Sequence, residues 1–311
     1  MAHPRRFRFG AEMMGPFDGM SWAESARELE SLGYSTLFAP DHFHEGFGPI
    51  TAMATAAMAT TTLIVATAVF AADFRHPAVL ARELASIDVL SQGRLEVGIG
   101  AGYNPLDYSR SGIALDPPKV RVDRLIEHTH VLKGLWSDGP FTFEGDHYRI
   151  GHLEGTPKPC RPGGPKVFIA GGGKRLLRFA AATADIVGIN ASIPAAPDAS
   201  TARDALPSSI DEKVRWIREA AGDRYDDLEF NAWLSVAKVT DDALSVGERL
   251  SSRFGASPED VLAAPTILVG SVSEIADRLH ARRERWGYSY MVIQGPSVHE
   301  FAPVVALLAG T

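Results

Sequence analysis

A (β/α)8 barrel is the fold this sequence predicts, and three observations predict it. Short apolar runs alternate with stretches of helical period along nearly the whole chain. Eight such runs read as strands, and their continuous apolar character suits strands covered on both faces, as in a parallel sheet. No composition shift of the kind that marks a domain linker interrupts them. The rival, a doubly wound sheet, would show Gly-x-Gly-x-x-Gly near a first strand, and Gly98-Ile-Gly-Ala-Gly lacks the last spacing. One domain over residues 1–311 is therefore expected, with its long insertions on the catalytic face.

Residues 7–12 read as the first strand. Ser21 and Glu24 form a capping box ahead of a helix whose stripe is Trp22, Ala26, Leu29 and Leu32. Residues 35–39 are a second strand, stopped by Pro40, and 50–60 a helix. The most informative stretch is 61–102. Two apolar runs, 63–69 and 95–99, flank a helix that opens on Pro77, repeats Leu80, Leu84, Ile87 and Leu90 on one face, and stops at Gly93. The second run leaves through glycines 98, 100 and 102, so backbone lines its C-terminal mouth, where parallel α/β folds bind ligands. Residues 103–164 are too long for a simple crossover and hold a helix near 120–136 and a hairpin around 141–150. Strands five and six are expected at 167–170 and 185–189, with a helix from about Lys174. Residues 191–207, rich in Ala, Pro and Ser, read as a long active-site loop. A second capping box, Ser209 with Glu212, precedes a helix. Residues 228–239 and 290–294 complete the eight strands.

A chain of 311 residues, 45% hydrophobic, can bury a large core. Its formal net charge of −7 argues against nucleic acid or an anionic membrane as partner, while leaving room for a local basic pocket. The single cysteine, Cys160, forms no internal disulfide, which fits a reducing cytosol. The first ten residues lack the apolar core of a signal peptide, and no apolar run approaches the ~20 residues of a membrane span. A cytoplasmic protein is expected.

Asp41 and His42 follow the second strand directly, where barrel enzymes place catalytic groups. His42 suits proton transfer near neutrality, and Asp41 is a candidate to fix its tautomer or to meet the ligand. A capped loop with solvated imidazoles explains the same residues equally well. His42 and His44 alone do not make a metal site, and the other histidines lack ligand spacing, so no metal is expected. Glu12, among Phe9, Met13 and Met14, is a carboxylate expected at the barrel mouth with a raised pKa, or else a structural acid in an ion pair. Gly171, Gly172 and Gly173, then Lys174 and Arg175, sit between a strand and a helix and favour phosphate. Arg75 is a phosphate clamp or a loop ion pair. No Gly-x-Ser-x-Gly elbow is present. A chemically plain, backbone-lined pocket implies that a cofactor carries the reaction.

Several motifs, in order along essentially the whole chain, resemble the bacterial-luciferase-like monooxygenase superfamily. They are Phe9-Gly-Ala-Glu, Pro40-Asp-His-Phe, Phe74-Arg-His-Pro-Ala, Leu90-Ser-Gln-Gly-Arg-Leu-Glu-Val-Gly-Ile-Gly-Ala-Gly, Leu135-Trp-Ser-Asp-Gly-Pro-Phe, Ile169-Ala-Gly-Gly-Gly and Leu268-Val-Gly-Ser. The resemblance implies a barrel that binds coenzyme F420 or FMN at its C-terminal mouth, usually as a homodimer. Strand two ending in Asp-His-Phe resembles the F420-dependent oxidoreductases, whose histidine lies near deazaflavin and substrate. That implies a catalytic role for His42, with Glu12, from its own place on strand one, the second candidate acid or base. It implies cofactor contacts at Gly100, Ala101, Gly102 and Gly171 to Gly173, to which Asp41 and Lys174 are added as candidates from their own positions. It also implies a cis peptide behind the ring at Ala68 and Val69. Relatives that oxidise a sugar phosphate carry a glutamate where this chain has Tyr103, so a different small-molecule substrate is expected. Three activities follow in order of preference. The first is F420-dependent hydride transfer; the second, an FMN monooxygenase served by a separate reductase; the third, a non-catalytic flavin-binding barrel.

Overall fold

The computed structural model describes residues 5–44, 46–192 and 199–311. Strand and helix alternate from β1 (Arg8–Glu12), α1 (Trp22–Ser31), β2 (Thr36–Ala39) and α2 (Pro49–Ala59) to β3 (Ile64–Thr67), β4 (Phe70–Ala71), α3 (Pro77–Leu90) and β5 (Leu95–Gly100). The excursion that follows holds α4 (Pro105–Ser111), α5 (Pro118–Trp136) and the hairpin β6 (Pro140–Glu144) with β7 (Arg149–Glu154). Then come β8 (Lys166–Gly171), α6 (Lys174–Thr183), β9 (Ile186–Ile189), α7 (Ala199–Arg203), α8 (Pro207–Ala221) and β10 (Glu229–Trp233). The chain finishes with β11 (Val236–Val239), α9 (Ala243–Phe254), α10 (Pro258–Ala263), β12 (Ile267–Gly270), α11 (Val272–Trp286), β13 (Tyr288–Gln294) and α12 (Val298–Leu308). The fold class is the (β/α)8 barrel, with β1, β2, β3, β5, β8, β9, β10 and β13 as its parallel strands. Seven coincide with the runs expected from sequence, and β10 covers only the first part of the run expected over 228–239.

The chain divides into two compact units, one of Met1–Glu12, Leu29–Ser35 and Ala170–Thr311, the other of Met13–Glu28 and Thr36–Ile169. In the first, β9, β10, β13 and β1 are neighbours in that order, with Glu229 opposite Ile186, Phe230 opposite Tyr288 and Arg8 opposite Tyr290. Phe9 meets Phe301 of α12 with ring centroids 6.3 Å apart. The two-residue period of a strand therefore turns Arg8, Gly10 and Glu12 to the opposite face. There Arg8 makes a two-point ion pair with Glu229 at 2.6 and 2.7 Å, its guanidinium 3.5 Å over the Tyr290 ring. In the second unit the order is β2, β3, β5, β8, with Thr36 opposite Ile64, Val65 opposite Leu95 and Glu96 opposite Lys166. Every residue of β2 and β5 is buried, which is why these strands read as largely apolar runs despite Thr36 and Glu96.

Helix α3 follows its sequence signals closely. Pro77 takes the first position, the His76 side chain accepts from the Ala78 N–H, and Gly93 (φ +81°) turns the chain so that its N–H bonds the Asp88 carbonyl. The Ser21–Glu24 box also forms, with the Ser21 N–H donating to Glu24 Oε2 at 2.7 Å. Three expectations are corrected. Ser209 and Glu212 do not cap α8: the helix starts earlier, at Pro207, whose fixed φ and missing N–H suit a first turn. The strand expected over 228–239 is two strands. The Ser235 N–H bonds the Thr266 carbonyl, and β11 leaves to pair in parallel with β12. The loop expected over 191–207 contains α7, while residues 193–198 lie outside the described residues.

Candidate active site

Pro40 ends β2, and the four residues after it carry the first polar groups of the mouth. Asp41 is buried, and its Oδ2 accepts from the Ala71 N–H at 3.2 Å and from Arg75 Nη1 at 2.6 Å. Asp41 thus ties the β2 exit to the β4 segment. It does not orient His42, as the sequence had suggested, and Arg75 is an ion-pair partner rather than an unengaged clamp for phosphate.

Asp107, in the first turn of α4, orients His42 instead. Its Oδ2 lies 2.7 Å from His42 Nδ1, and its Oδ1 lies 3.0 Å from the Phe43 N and 3.2 Å from His44 Nδ1. Asp107 is 3% exposed, and burial alone would raise its pKa; the Phe43 N–H and the two imidazoles outweigh that and hold it below the usual carboxylate value. The donor and acceptor atoms of His42, His44 and Asp107 lie within 4.8 Å of one another, compact enough for a divalent cation, but the trio is already closed by its own hydrogen bonds. Around it, Phe43 and Tyr103 are each more than half exposed; the Phe43 ring is 4.9 Å from Phe74 and Tyr103 is 6.0 Å from His42.

The wall beside this trio is backbone, for a steric reason. The Ala68–Val69 peptide is cis. A Cβ on Gly98 would sit 1.8 Å from the Thr67 carbonyl oxygen, and one on Gly100 would sit 2.6 Å from Val69 Cγ2. Gly102 has φ +69°, and a Cβ there would strike the Tyr108 hydroxyl. These glycines let the chain of β5 and its exit touch residues 67–69 and α4 directly. Arg121 donates to the carbonyls of Ala101 and Gly102, while Tyr108 donates to Asp73, which also pairs with Arg124 at 2.5 Å. The glycine exit is thus held from beneath by charge-assisted bonds.

In the other unit, Glu12 ends β1, buried and opposite Gln294. Burial pushes its pKa up to about 7, against the weaker opposing effect of a hydrogen bond from the Trp233 side chain. The glycines after β8 differ from one another. A Cβ on Gly172 would lie 2.3 Å from the Ser192 backbone nitrogen, and one on Gly171 would meet Leu176, so both are consumed by close packing. Gly173 faces open space and is the N-cap of α6 with no side-chain cap, which leaves the first-turn N–H groups available to an anion. Lys174 lies 5.5 Å from the Trp216 ring. Lys213, fully buried, donates to the carbonyls of Asn190 and Asp204 and to the Asp204 carboxylate, and so anchors the segment after β9.

The structure therefore brings His42, the Ala68–Val69 peptide and glycines 98, 100 and 102 into one region, and places Glu12, Gly173 and Lys174 in the other unit. Asp107 and His44 were missed as functional partners of His42. A local signal for α4 existed: Asn104 caps it, Pro105 opens it and Gly112 closes it with φ +78°. Nothing in the spacing of 65 residues from His42 to Asp107 announces their contact.

The sequence family described as Luciferase-like monooxygenase matches residues 8–290. An F420-dependent glucose-6-phosphate dehydrogenase of Nakamurella multipartita is 30% identical over 250 residues, 76% of this chain and 70% of that one. The enzyme of the same name from Amycolatopsis mediterranei is 25% identical over 311 residues, 93% of this chain and 92% of its own. Among solved structures, an F420-dependent secondary alcohol dehydrogenase in complex with an F420-acetone adduct superposes with a TM-score of 0.75 at 19% identity, covering 98% of this chain and 99% of that one.

Proposed function

The chain belongs to the luciferase-like monooxygenase family, and from that premise we propose that it is an F420-dependent oxidoreductase moving a hydride between the deazaflavin and a small organic substrate. The observation that carries this reading is the His42 imidazole, 18% exposed and tethered by Asp107 beside a backbone wall and an apolar rim. The names of the relatives support the choice of F420. Gly173 and the uncapped start of α6 fit the cofactor phosphate, since a Cβ there meets nothing. On the family resemblance, Ala68, Val69, Gly100, Ala101, Gly102, Gly171 and Gly172 complete the cofactor contacts, with Asp41 and Lys174 added from their own positions. Of these, Gly171 and Gly172 act by letting the backbone close up.

When bound, F420 supplies a carbon that takes or gives a hydride. His42 binds the reacting oxygen of the substrate and holds its proton at Nε2, taking it in oxidation and returning it in reduction. Glu12, with a pKa of about 7, is the second group able to hold or release a proton near neutrality. The half-exposed Phe43, Tyr103 and Leu106 exclude water and favour an uncharged substrate. Glucose 6-phosphate is not the proposed substrate, since Tyr103 stands where the resemblance places the glutamate of sugar-phosphate oxidisers. The remaining attributes belong to the same proposal: one domain over 1–311, a homodimer, a cytoplasmic location and reduced cofactor supplied by a separate reductase. Among the described residues no helix is long and apolar enough to cross a membrane.

Separate fluorescence titrations with F420 and FMN test the reading. Tighter binding of F420, followed by turnover with secondary alcohols or carbonyl compounds, is expected. Preference for FMN with oxygen uptake would move the assignment to the flavin monooxygenase, which the aromatic contacts of Phe43 with Phe74 would equally shelter.

A further inference from the structure

Asp107 accepts from the Phe43 backbone N–H, and its two oxygens also lie within hydrogen-bond distance of His42 Nδ1 and His44 Nδ1. An ionised carboxylate has no hydrogen to give, so each ring bonded to it must carry its hydrogen on Nδ1. In a neutral ring Nε2 is then the bare, proton-accepting nitrogen. The two rings lie 5.0 Å apart between centroids, and both are partly open, 18% for His42 and 31% for His44.

We propose that Asp107 is a positioning residue that fixes both His42 and His44 as the Nδ1–H tautomer, so that His42 turns a proton-accepting Nε2 toward the substrate. His42 serves the reacting oxygen, and His44 shares the Asp107 carboxylate that orients it. The catalytic half of this statement rests on the proposed function; the tautomer half does not. A plain loop staple between α4 and residues 42–44 would use the same hydrogen bonds, so the test must separate the two.

The amide of Asp107→Asn keeps the shape but offers one oxygen and one NH2 group. The oxygen can satisfy one ring, and the NH2, facing the other, demands a bare Nδ1 and forces that ring into the opposite tautomer. The experiment is nitrogen NMR of the full chain with labelled histidine, assigned with His42→Gln and His44→Gln, alongside F420 titration and steady-state kinetics. In the unsubstituted protein both rings should show a protonated Nδ1 and a bare Nε2. Asp107→Asn should switch one ring and lower kcat by about 10²- to 10⁴-fold, with F420 affinity and KM held. Asp107→Glu should restore both tautomers and recover part of kcat.

A protonated Nε2 on either neutral ring of the unsubstituted protein would overturn the proposal, and that spectrum decides even if Asp107→Asn fails to fold. So would Asp107→Asn with both tautomers and kcat intact, or with kcat and F420 affinity falling together, the mark of a scaffold residue. Failure to bind F420 at all would sink the proposed function instead, and the spectrum would still decide the tautomers.

Discussion

Two buried carboxylates, Asp107 in the first turn of α4 and Glu12 at the end of β1, behave in opposite ways. Asp107, 3% exposed, accepts from two imidazoles and a backbone N–H and is held below the ordinary carboxylate range. Glu12, 7% exposed, has the Trp233 side chain as donor and is pushed up to about 7. At Asp107 the hydrogen bonds outweigh the cost of burial, whereas at Glu12 burial outweighs the single bond from Trp233. The first region is a closed network in which side chains position one another. The second leaves a proton free to move at physiological pH.

The largest break in this comparison comes from removing a ring from the network. His42→Ala should slow turnover by about 10²- to 10⁴-fold while F420 affinity stays close to that of the unsubstituted protein, as steady-state kinetics and titration would show. Unchanged kcat would remove His42 from the chemistry. Next in size is Glu12, whose donor is the Trp233 side chain. The Glu12 pKa is raised from 4.5 to about 7, so its favourable contribution is fully present below pH 4.5 and lost as pH rises through 7. Glu12→Gln, which cannot ionise, should therefore be the more stable form at pH 8, by about 3 kcal/mol, with the gap closing toward pH 5. Urea unfolding at both pH values measures this, and equal stability at pH 8 would show that Glu12 is solvated or paired.

Asp41→Asn tests an intermediate case, a carboxylate with two donors. The ion pair to Arg75 is partly solvated, which reduces its worth. A loss of about 1–2 kcal/mol in unfolding free energy is expected, mainly from the weakened bond to the buried Ala71 N–H. The smallest stability effect should be Gly173→Ala, where a Cβ meets nothing and φ is −80°. Stability should fall by less than about 1 kcal/mol, while F420 affinity drops measurably if the start of α6 cradles the phosphate. A variant that binds F420 normally would place the phosphate elsewhere.

Where the sequence was legible, one local physical rule governed the outcome. The strands were found because burial on both faces demands short, mainly apolar runs, and α3 because Pro77, the leucine stripe and Gly93 each satisfy a local requirement. Where it misled, two local rules competed or a distant partner intervened. Ser209 with Glu212 has the letters of a capping box, but Pro207 starts the helix first. Residues 228–239 are apolar enough for one strand, and only the Thr266 carbonyl, outside that window, divides them.

The site divides along the same line. From sequence alone came the barrel, the polar strand exits bearing Glu12, Asp41 and His42, and the glycines that make a wall of backbone. All of these depend on residues within a few positions of one another. The tertiary structure alone decided that Asp41 serves Ala71 and Arg75, that Asp107 serves His42 and His44, and that only Gly173 of its triplet faces open space. The reason is physical: strand and helix periods are written into neighbouring side chains, whereas a hydrogen bond across 65 residues or the space around a glycine exists only once the chain has folded.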